Sequence, residues 1–467
     1  MCTAHARDAD CRKSSAQRFF FDSLRIIIRG AVLPMKVLFK NGLLLCNGAW
    51  TYRDLLMASG EVKCISEQIQ PVSDEIVIDL DKKYILPGLA DVHVHLREPG
   101  FSYKETIETG SAAAAIGGFT AVCPMPNLSP APDTPQELER QIKMYEEKSC
   151  IRIVPYACIT KGGTGKGGLL DYKAMYTLAA GFSDDGNGVI SPRLMESAMA
   201  AIAETGGILA AHCEDKSITG GGVIHDGAYA AANGYMGIPS ESEWMHVKRD
   251  LELVAKTGCN YHVCHVSSKE SVELIRQAKK AGLPVTCETA PHYLVLDDSM
   301  LQDEGRFKMA PPIRSEQDRQ ALVNGIADGT IDMIATDHAP HSAEEKSGGL
   351  DGSLNGIVGL ETSLALVYTN LVLPGIISME RLVQLMCTAP RHRFNLGGGE
   401  ITEGGMADLI IFDQKAERTI SSEDFLSMGK ATPFEGRRVH GDVLLTVCSG
   451  NIVWDGLGLI KKGNAYG

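Results

Sequence analysis

The feature that most restricts the fold is an alternation between residues 87 and 395. Short apolar runs of β type recur there, each followed by a longer stretch of helical type, often rich in Ala, Glu and Lys. Segments 90–96, 120–124, 151–159, 179–183, 207–212, 260–266, 284–288 and 332–336 are the eight strand candidates. Every gap between them is long enough for a helix. Strands joined through helices run parallel, and eight such units point to an α/β fold with a closed (β/α)8 TIM-type barrel. An open doubly wound sheet is the alternative. It is weakened because no glycine-rich dinucleotide fingerprint follows an early strand.

The flanks read differently. From Met35 the chain shows short β runs, with turn signals at Asn41-Gly42 and Asn47-Gly48 and a strand in Glu75-Ile-Val-Ile-Asp-Leu. β-type sequence returns in Met406-Ala-Asp-Leu-Ile-Ile-Phe, Val443-Leu-Leu-Thr-Val and Asn451-Ile-Val-Trp. The layout expected is a β-sandwich domain built from both chain ends (35–86 and 396–467) around a barrel at 87–395. Residues 1–34 lack this patterning. They are expected to be an extension, either disordered or ahead of a mis-assigned start at Met35.

Composition removes several function classes. The 45 Lys and Arg against 58 Asp and Glu give a net charge of −13, so no basic field for nucleic acid exists. No uninterrupted apolar run reaches the ~18 residues of a membrane span. The 13 scattered cysteines form no CxxC pair or framework, which fits reduced thiols in the cytoplasm. Cys213 and Cys264 each adjoin a histidine, yet small buried apolar residues are the simpler reading.

Chemistry enters at the strand ends. His93-Val-His95 closes the run Leu89-Ala-Asp-Val-His-Val-His. Residues at i and i+2 on a strand share a face, so two imidazoles about 5–7 Å apart can share one metal. Alone, HxH reads equally well as a structural pair. Asp185, His212, His265 and Asp337 also follow apolar strand candidates. In a β/α barrel those ends converge on one mouth, where active sites lie. Four histidines and two carboxylates suit one or two divalent ions, Zn2+ first. His262 competes with His265, and Asp184 with Asp185.

Asp91-Val-His-Val-His-Leu-Arg-Glu-Pro-Gly resembles the signature of dihydroorotases, in the amidohydrolase superfamily. Met125-Pro-Asn127, Ala211-His-Cys-Glu, His262-Val-Cys-His-Val-Ser and Ala335-Thr-Asp-His-Ala-Pro-His341 resemble further motifs of that family, in order, and the match runs from about Met35 to Gly458. The resemblance implies a β/α barrel with a β-sandwich from both termini. It implies reversible cyclisation of N-carbamoyl-L-aspartate to (S)-dihydroorotate in pyrimidine synthesis. It assigns His93 and His95 to a first metal, Asp185 as the bridge where many relatives use a carboxylated lysine, and His212 and His265 to a second metal. Asp337 becomes ligand and proton shuttle; Arg97, Asn127 and His341 become substrate contacts. Two Zn2+ per chain, a homodimer and an association with aspartate transcarbamoylase follow from the same source. One position departs: many relatives carry Asn where this chain has Ala310, in Lys308-Met-Ala-Pro-Pro-Ile-Arg. The segment from His341 to Asn355 is expected to be a mobile loop over the mouth. A hydantoinase, dihydropyrimidinase or allantoinase is the alternative, and an inactive scaffold a third reading.

Overall fold

The computed structural model describes residues 36–46 and 48–459. The extension expected over 1–34 lies outside them. The N-terminal flank forms β1 (Lys36–Cys46), β2 (Ala49–Ala58), β3 (Glu61–Ser66), β4 (Ile76–Asp79) and β5 (Tyr84–Pro87). The central region holds β6 (Leu89–Val94), β7 (Phe119–Pro124), β8 (Arg152–Ile153), β9 (Ile208–Ala211), a small ladder of β10 (Ile224–His225) and β11 (Gly237–Ile238), then β12 (Asn260–Val263), β13 (Val285–Thr289) and β14 (Met333–Ile334). The C-terminal flank supplies β15 (Leu409–Thr419), β16 (Arg438–Cys448) and β17 (Asn451–Asp455).

Both flanks join one mixed sheet in the order β17-β16-β15-β5-β1-β2-β3, with β4 beside β1. Alternation along its strands gives it two packed faces. Val37, Phe39, Leu409, Ile411, Leu445 and Val447 enclose a separate apolar core on one face. Ile410, Phe412, Val439 and Val443 face the main core on the other. Asn41-Gly42 is not a turn. It is a bulge inside β1, where pairing with β2 shifts between Phe39 and Gly42. Asn41 takes a left-handed φ of 55°, and the Asp54 and Asp79 carboxylates hold its backbone and side-chain N–H groups.

The central strands are parallel and buried on both faces, as strands covered by helices must be. Pairing runs β6–β7–β8 and β9–β12–β13–β14. Single parallel bridges link the two runs, Ala157 to Phe182 and Phe182 to Leu209, and another links Val94 to His338. The ladder is shortest where long strands were expected. Only Arg152–Ile153 forms within 151–159, and within 179–183 a bridge at Phe182 stands alone. Pro155 has no N–H to donate there, although its carbonyl accepts from Ala180. The intervening helices start on hydroxyl caps: Thr106, Thr134, Ser191, Ser268 and Ser315 each accept a backbone N–H three residues on.

The sheet is fastened to the central layer by Arg391. Its buried guanidinium donates to the Gly88 carbonyl (2.9 Å), Thr120 Oγ1 (2.6 Å) and the Gly397 carbonyl (2.5 Å), and stands 3.6 Å from Asp408. Asp408 also accepts from Arg152 at 3.2 Å. Gly88 tolerates no side chain, because a Cβ there would lie 2.3 Å from Thr120 Oγ1. Removing one partner of a buried ion pair strands the other, so Arg391→Met is expected to destabilise the fold by about 3 kcal/mol, the lower end of the usual range because Arg152 still neutralises Asp408. Chemical denaturation checks this; an unchanged midpoint would contradict it.

Candidate active site

His93, at the end of β6, and His95, just beyond it, project toward the ends of the other parallel strands. Asp91 sets that geometry. It is fully buried and accepts the backbone N–H groups of His93 and Thr336, each at 3.0 Å, tying the end of β6 to the segment after β14. Burial raises its carboxyl to about 7 against those hydrogen bonds.

Asp185 lies at the centre. Its Oδ1 is 3.4 Å from His93 Nε2, 3.6 Å from His212 Nδ1 and 3.7 Å from His265 Nε2, and its Oδ2 is 3.6 Å from His95 Nε2. Asp337 Oδ1 stands 3.0 Å from His95 Nε2 and 3.5 Å from His93 Nε2. His212 Nδ1 and His265 Nε2 are 2.8 Å apart. All six residues proposed from the sequence as ligands therefore meet, and all are buried.

The arrangement fits divalent metal. Two ligands on one tetrahedral zinc, each about 2.0–2.1 Å from it, stand about 3.3 Å apart. In the sets His93–His95–Asp337 and His93–Asp185–His265 the candidate ligand atoms all lie within 4.8 Å of one another, close enough to draw onto one ion. Among the described residues His93 Nε2 and Asp185 Oδ1 have no hydrogen-bond partner, although both are buried and face each other. Buried polar atoms are normally satisfied, and a cation between them would satisfy both. Burial opposes charge throughout, yet the groups sustain it mutually. Asp337, Glu288 and Asp185 raise the His93 pKa well above the ordinary value, while His93, His265 and His95 hold Asp185 well below the usual carboxylate range.

The substrate-contact candidates surround the cluster. His95, Arg97, Asn127, Asp185, His212, His265, Asp337 and His341 line one cavity of about 280 Å³, together with Ala310 and Glu214. Asn127 Oδ1 accepts from His95 Nδ1 at 3.0 Å, and its Nδ2 donates to Asp185 at 3.2 Å. Arg97 donates through Nε to the Pro340 carbonyl at 3.1 Å, and its Nη2 lies 3.4 Å from His341 Nε2. His341 is 2.8 Å from the Asn355 carbonyl through Nε2, and 3.2 Å from Lys104 Nζ through Nδ1. Burial, with the Arg97 and Lys104 charges, lowers its pKa to about 4, so the ring is neutral at pH 7. The segment after His341 is tied down by Lys346, which donates to the Lys308 and Leu354 carbonyls at 3.0 and 2.6 Å. Arg97, His265 and Asp337 all have left-handed φ values of 61°, 34° and 47°. Such strain concentrates where surroundings force a side chain into a functional position.

The competing residues do other work. His262 contacts Thr286 Oγ1 (2.9 Å) and Glu288 (3.1 Å) outside the cavity. Asp184 accepts the backbone N–H groups of Ile159, Thr160 and Gly165, which organises a loop. Cys213 is buried with its thiol 3.3 Å from the Tyr261 hydroxyl. It belongs to a compact Cys213–His246–Asp250 group, which Arg249 joins at 2.6 Å from Asp250. Sequence reasoning missed Glu288 and Glu214. Glu288 ends a strand candidate, the same signal that marked Asp337, and Glu214 closes the Ala211-His-Cys-Glu motif.

Comparison with known proteins places the chain in a family. A Dihydro-orotase-like family model matches residues 82–271. The chain is 45% identical over 423 residues to the dihydroorotase of Anoxybacillus flavithermus, covering 90% of this chain and 99% of that one. The dihydroorotase of Bacillus cytotoxicus gives 45% identity, covering 90% and 98%. Among solved structures, an L-hydantoinase (dihydropyrimidinase) from Arthrobacter aurescens superposes with a TM-score of 0.80 at 29% identity, covering 90% of this chain and 96% of that one. A dihydropyrimidinase from Brevibacillus agri shares the fold with a TM-score of 0.78 at 24% identity, covering 90% and 95%. Fold and site together define a member of the amidohydrolase superfamily. Within it, the chain belongs to the dihydroorotase family.

The two adjacent aspartates separate site from scaffold. Asp185→Asn is expected to weaken divalent-metal binding at least ~10-fold, the scale seen when metal-site contacts are altered. Asp184→Asn should keep metal while losing about 1–3 kcal/mol of stability, since an amide cannot accept all those N–H bonds. Metal content after dialysis, with the melting temperature of each variant, checks the pair; equal metal loss in both would contradict the assignment.

Proposed function

We propose that the chain is a zinc-dependent dihydroorotase, interconverting N-carbamoyl-L-aspartate and (S)-dihydroorotate in pyrimidine synthesis. The reading rests on the 45% identity to curated dihydroorotases across nearly their whole length. The observation that carries the chemistry is Arg97, a half-buried cation in the same cavity as the histidine–carboxylate cluster. Such a guanidinium suits a carboxylate that does not react, and dihydroorotate has one.

The cyclic pairing of the parallel strands supports the (β/α)8 barrel, with the sheet from both chain ends as its second domain. His93, His95 and Asp337 are assigned to one metal, and His212 and His265 to a second, with Asp185 between. Zn2+, when bound, supplies Lewis acidity that lowers the pKa of water and polarises an amide carbonyl. In the hydrolytic direction Asp337 takes a proton from the attacking water and passes it to the ring nitrogen as the C–N bond breaks. Arg97 and Asn127 fix the free carboxylate, which aims the scissile carbonyl at the cluster. His341, neutral and held by Lys104 and Asn355, adds a third contact. Ala310 offers no side-chain donor, so ring contacts on that wall fall to neighbouring backbone groups such as those of Asn355 and Gly356.

Ring closure consumes a proton with the carboxylate that loses water, so the equilibrium ratio of dihydroorotate to N-carbamoyl-L-aspartate should rise as pH falls. Arg97→Met should reduce kcat/KM for dihydroorotate about 100-fold, from loss of charged hydrogen bonds worth about 1.5–3 kcal/mol each at 1.4 kcal/mol per decade. Turnover of hydantoin, which lacks that carboxylate, should be weak and insensitive to the substitution. Faster turnover of hydantoin or allantoin than of dihydroorotate would transfer the chain to the hydantoinase or allantoinase reading.

A further inference from the structure

Glu288 is the penultimate residue of β13 and is 1% exposed. Neither of its oxygens lines the cavity described above. Oε1 lies 2.6 Å from His93 Nδ1 and accepts the His265 backbone N–H at 3.4 Å. Oε2 lies 3.1 Å from His262 Nε2, whose Nδ1 stands 2.9 Å from Thr286 Oγ1. Thr286 and Glu288 are two apart on one strand, so both face the same side. The chain Thr286–His262–Glu288 therefore buttresses the carboxylate from behind.

A neutral imidazole, the form that binds a metal, offers a lone pair at Nε2 when it donates from Nδ1. His93 Nε2 is the atom that faces Asp185 and Asp337, at 3.4 and 3.5 Å. One carboxylate thus selects the tautomer of a ligand on β6 and also grips the backbone of His265, where φ is 34°. We propose that Glu288 is a positioning residue for the metal centre, holding His93 Nε2-out and fixing His265, so that both metal positions depend on one buried carboxylate. This rests on the dinuclear reading above. A histidine ligand whose second nitrogen meets a carboxylate binds metal more tightly, and loss of such a partner typically weakens affinity by about 10–100-fold.

Glu288→Met is the informative variant, since it keeps about the same volume but accepts from neither His93 Nδ1 nor the His265 backbone N–H. Glu288→Gln, whose amide oxygen still accepts from both once His262 changes tautomer, is the control. Zinc titration of the full-length apo-protein against a chromophoric chelator is the measurement. The wild type is expected to take up two equivalents. Glu288→Met is expected to bind both about 10–100-fold more weakly, and Glu288→Gln to stay closer to the wild type. Zinc affinity equal to wild type in folded Glu288→Met would overturn the proposal. If Glu288→Met fails to fold, 15N-histidine NMR of the zinc-loaded wild type decides. A protonated Nδ1 with a metal-bound Nε2 on His93 supports the inference, and the opposite tautomer refutes it. A wild type that takes up no zinc refutes the dinuclear reading itself, and this inference with it.

Discussion

Everything at the mouth of this protein depends on how opposite charges share a dry space. Four histidines and two aspartates converge at the strand ends, nearly sealed from water. An isolated charge there would carry a prohibitive desolvation cost. The groups tolerate burial because each imidazole stands within about 3–4 Å of a carboxylate, an arrangement that the separations around Asp185 and Asp337 display. The same arrangement leaves two facing atoms, His93 Nε2 and Asp185 Oδ1, without hydrogen-bond partners among the described residues. A structural network would satisfy them; a metal centre accounts for them.

The scaffold delivers those groups through backbone ties. Asp91 joins the end of β6 to the segment leading to Asp337, and Glu288 joins β13 to the ligand candidates His93 and His265. Left-handed backbone at Arg97, His265 and Asp337 turns three functional side chains into one cavity. The sheet from the two chain ends lies elsewhere, fastened through Arg391 and Gly88. Its contribution is to cover the main core from outside, and no ligand candidate comes from it.

The sequence was most legible where one physical rule acted alone. Parallel strands covered by helices must be apolar on both faces, so their runs stood out, and a polar residue at the end of each marked His93, Asp185, His212, His265 and Asp337. Local reading failed where tertiary contacts decided the outcome. Asn41-Gly42 carries a turn signal, yet Asp54 and Asp79 hold it as a bulge within a continuous strand. Pro155 broke an apolar run into a two-residue strand and a lone bridge. His262 against His265, and Asp184 against Asp185, could not be separated by pattern, because the choice depends on left-handed backbone and on which neighbours donate hydrogen bonds. Glu288 sat at a strand end like the rest, but its role depends on an imidazole 195 positions away in the chain.

The central claim is that the buried cluster works as a metal centre that opens and closes a cyclic amide. The most direct test follows loss of (S)-dihydroorotate by ultraviolet absorbance with the full-length protein, before chelation, after it, and after zinc is restored. The account predicts turnover that disappears with the chelator and returns with zinc. Turnover that survives complete metal removal, or its absence in folded, zinc-loaded protein, would contradict it.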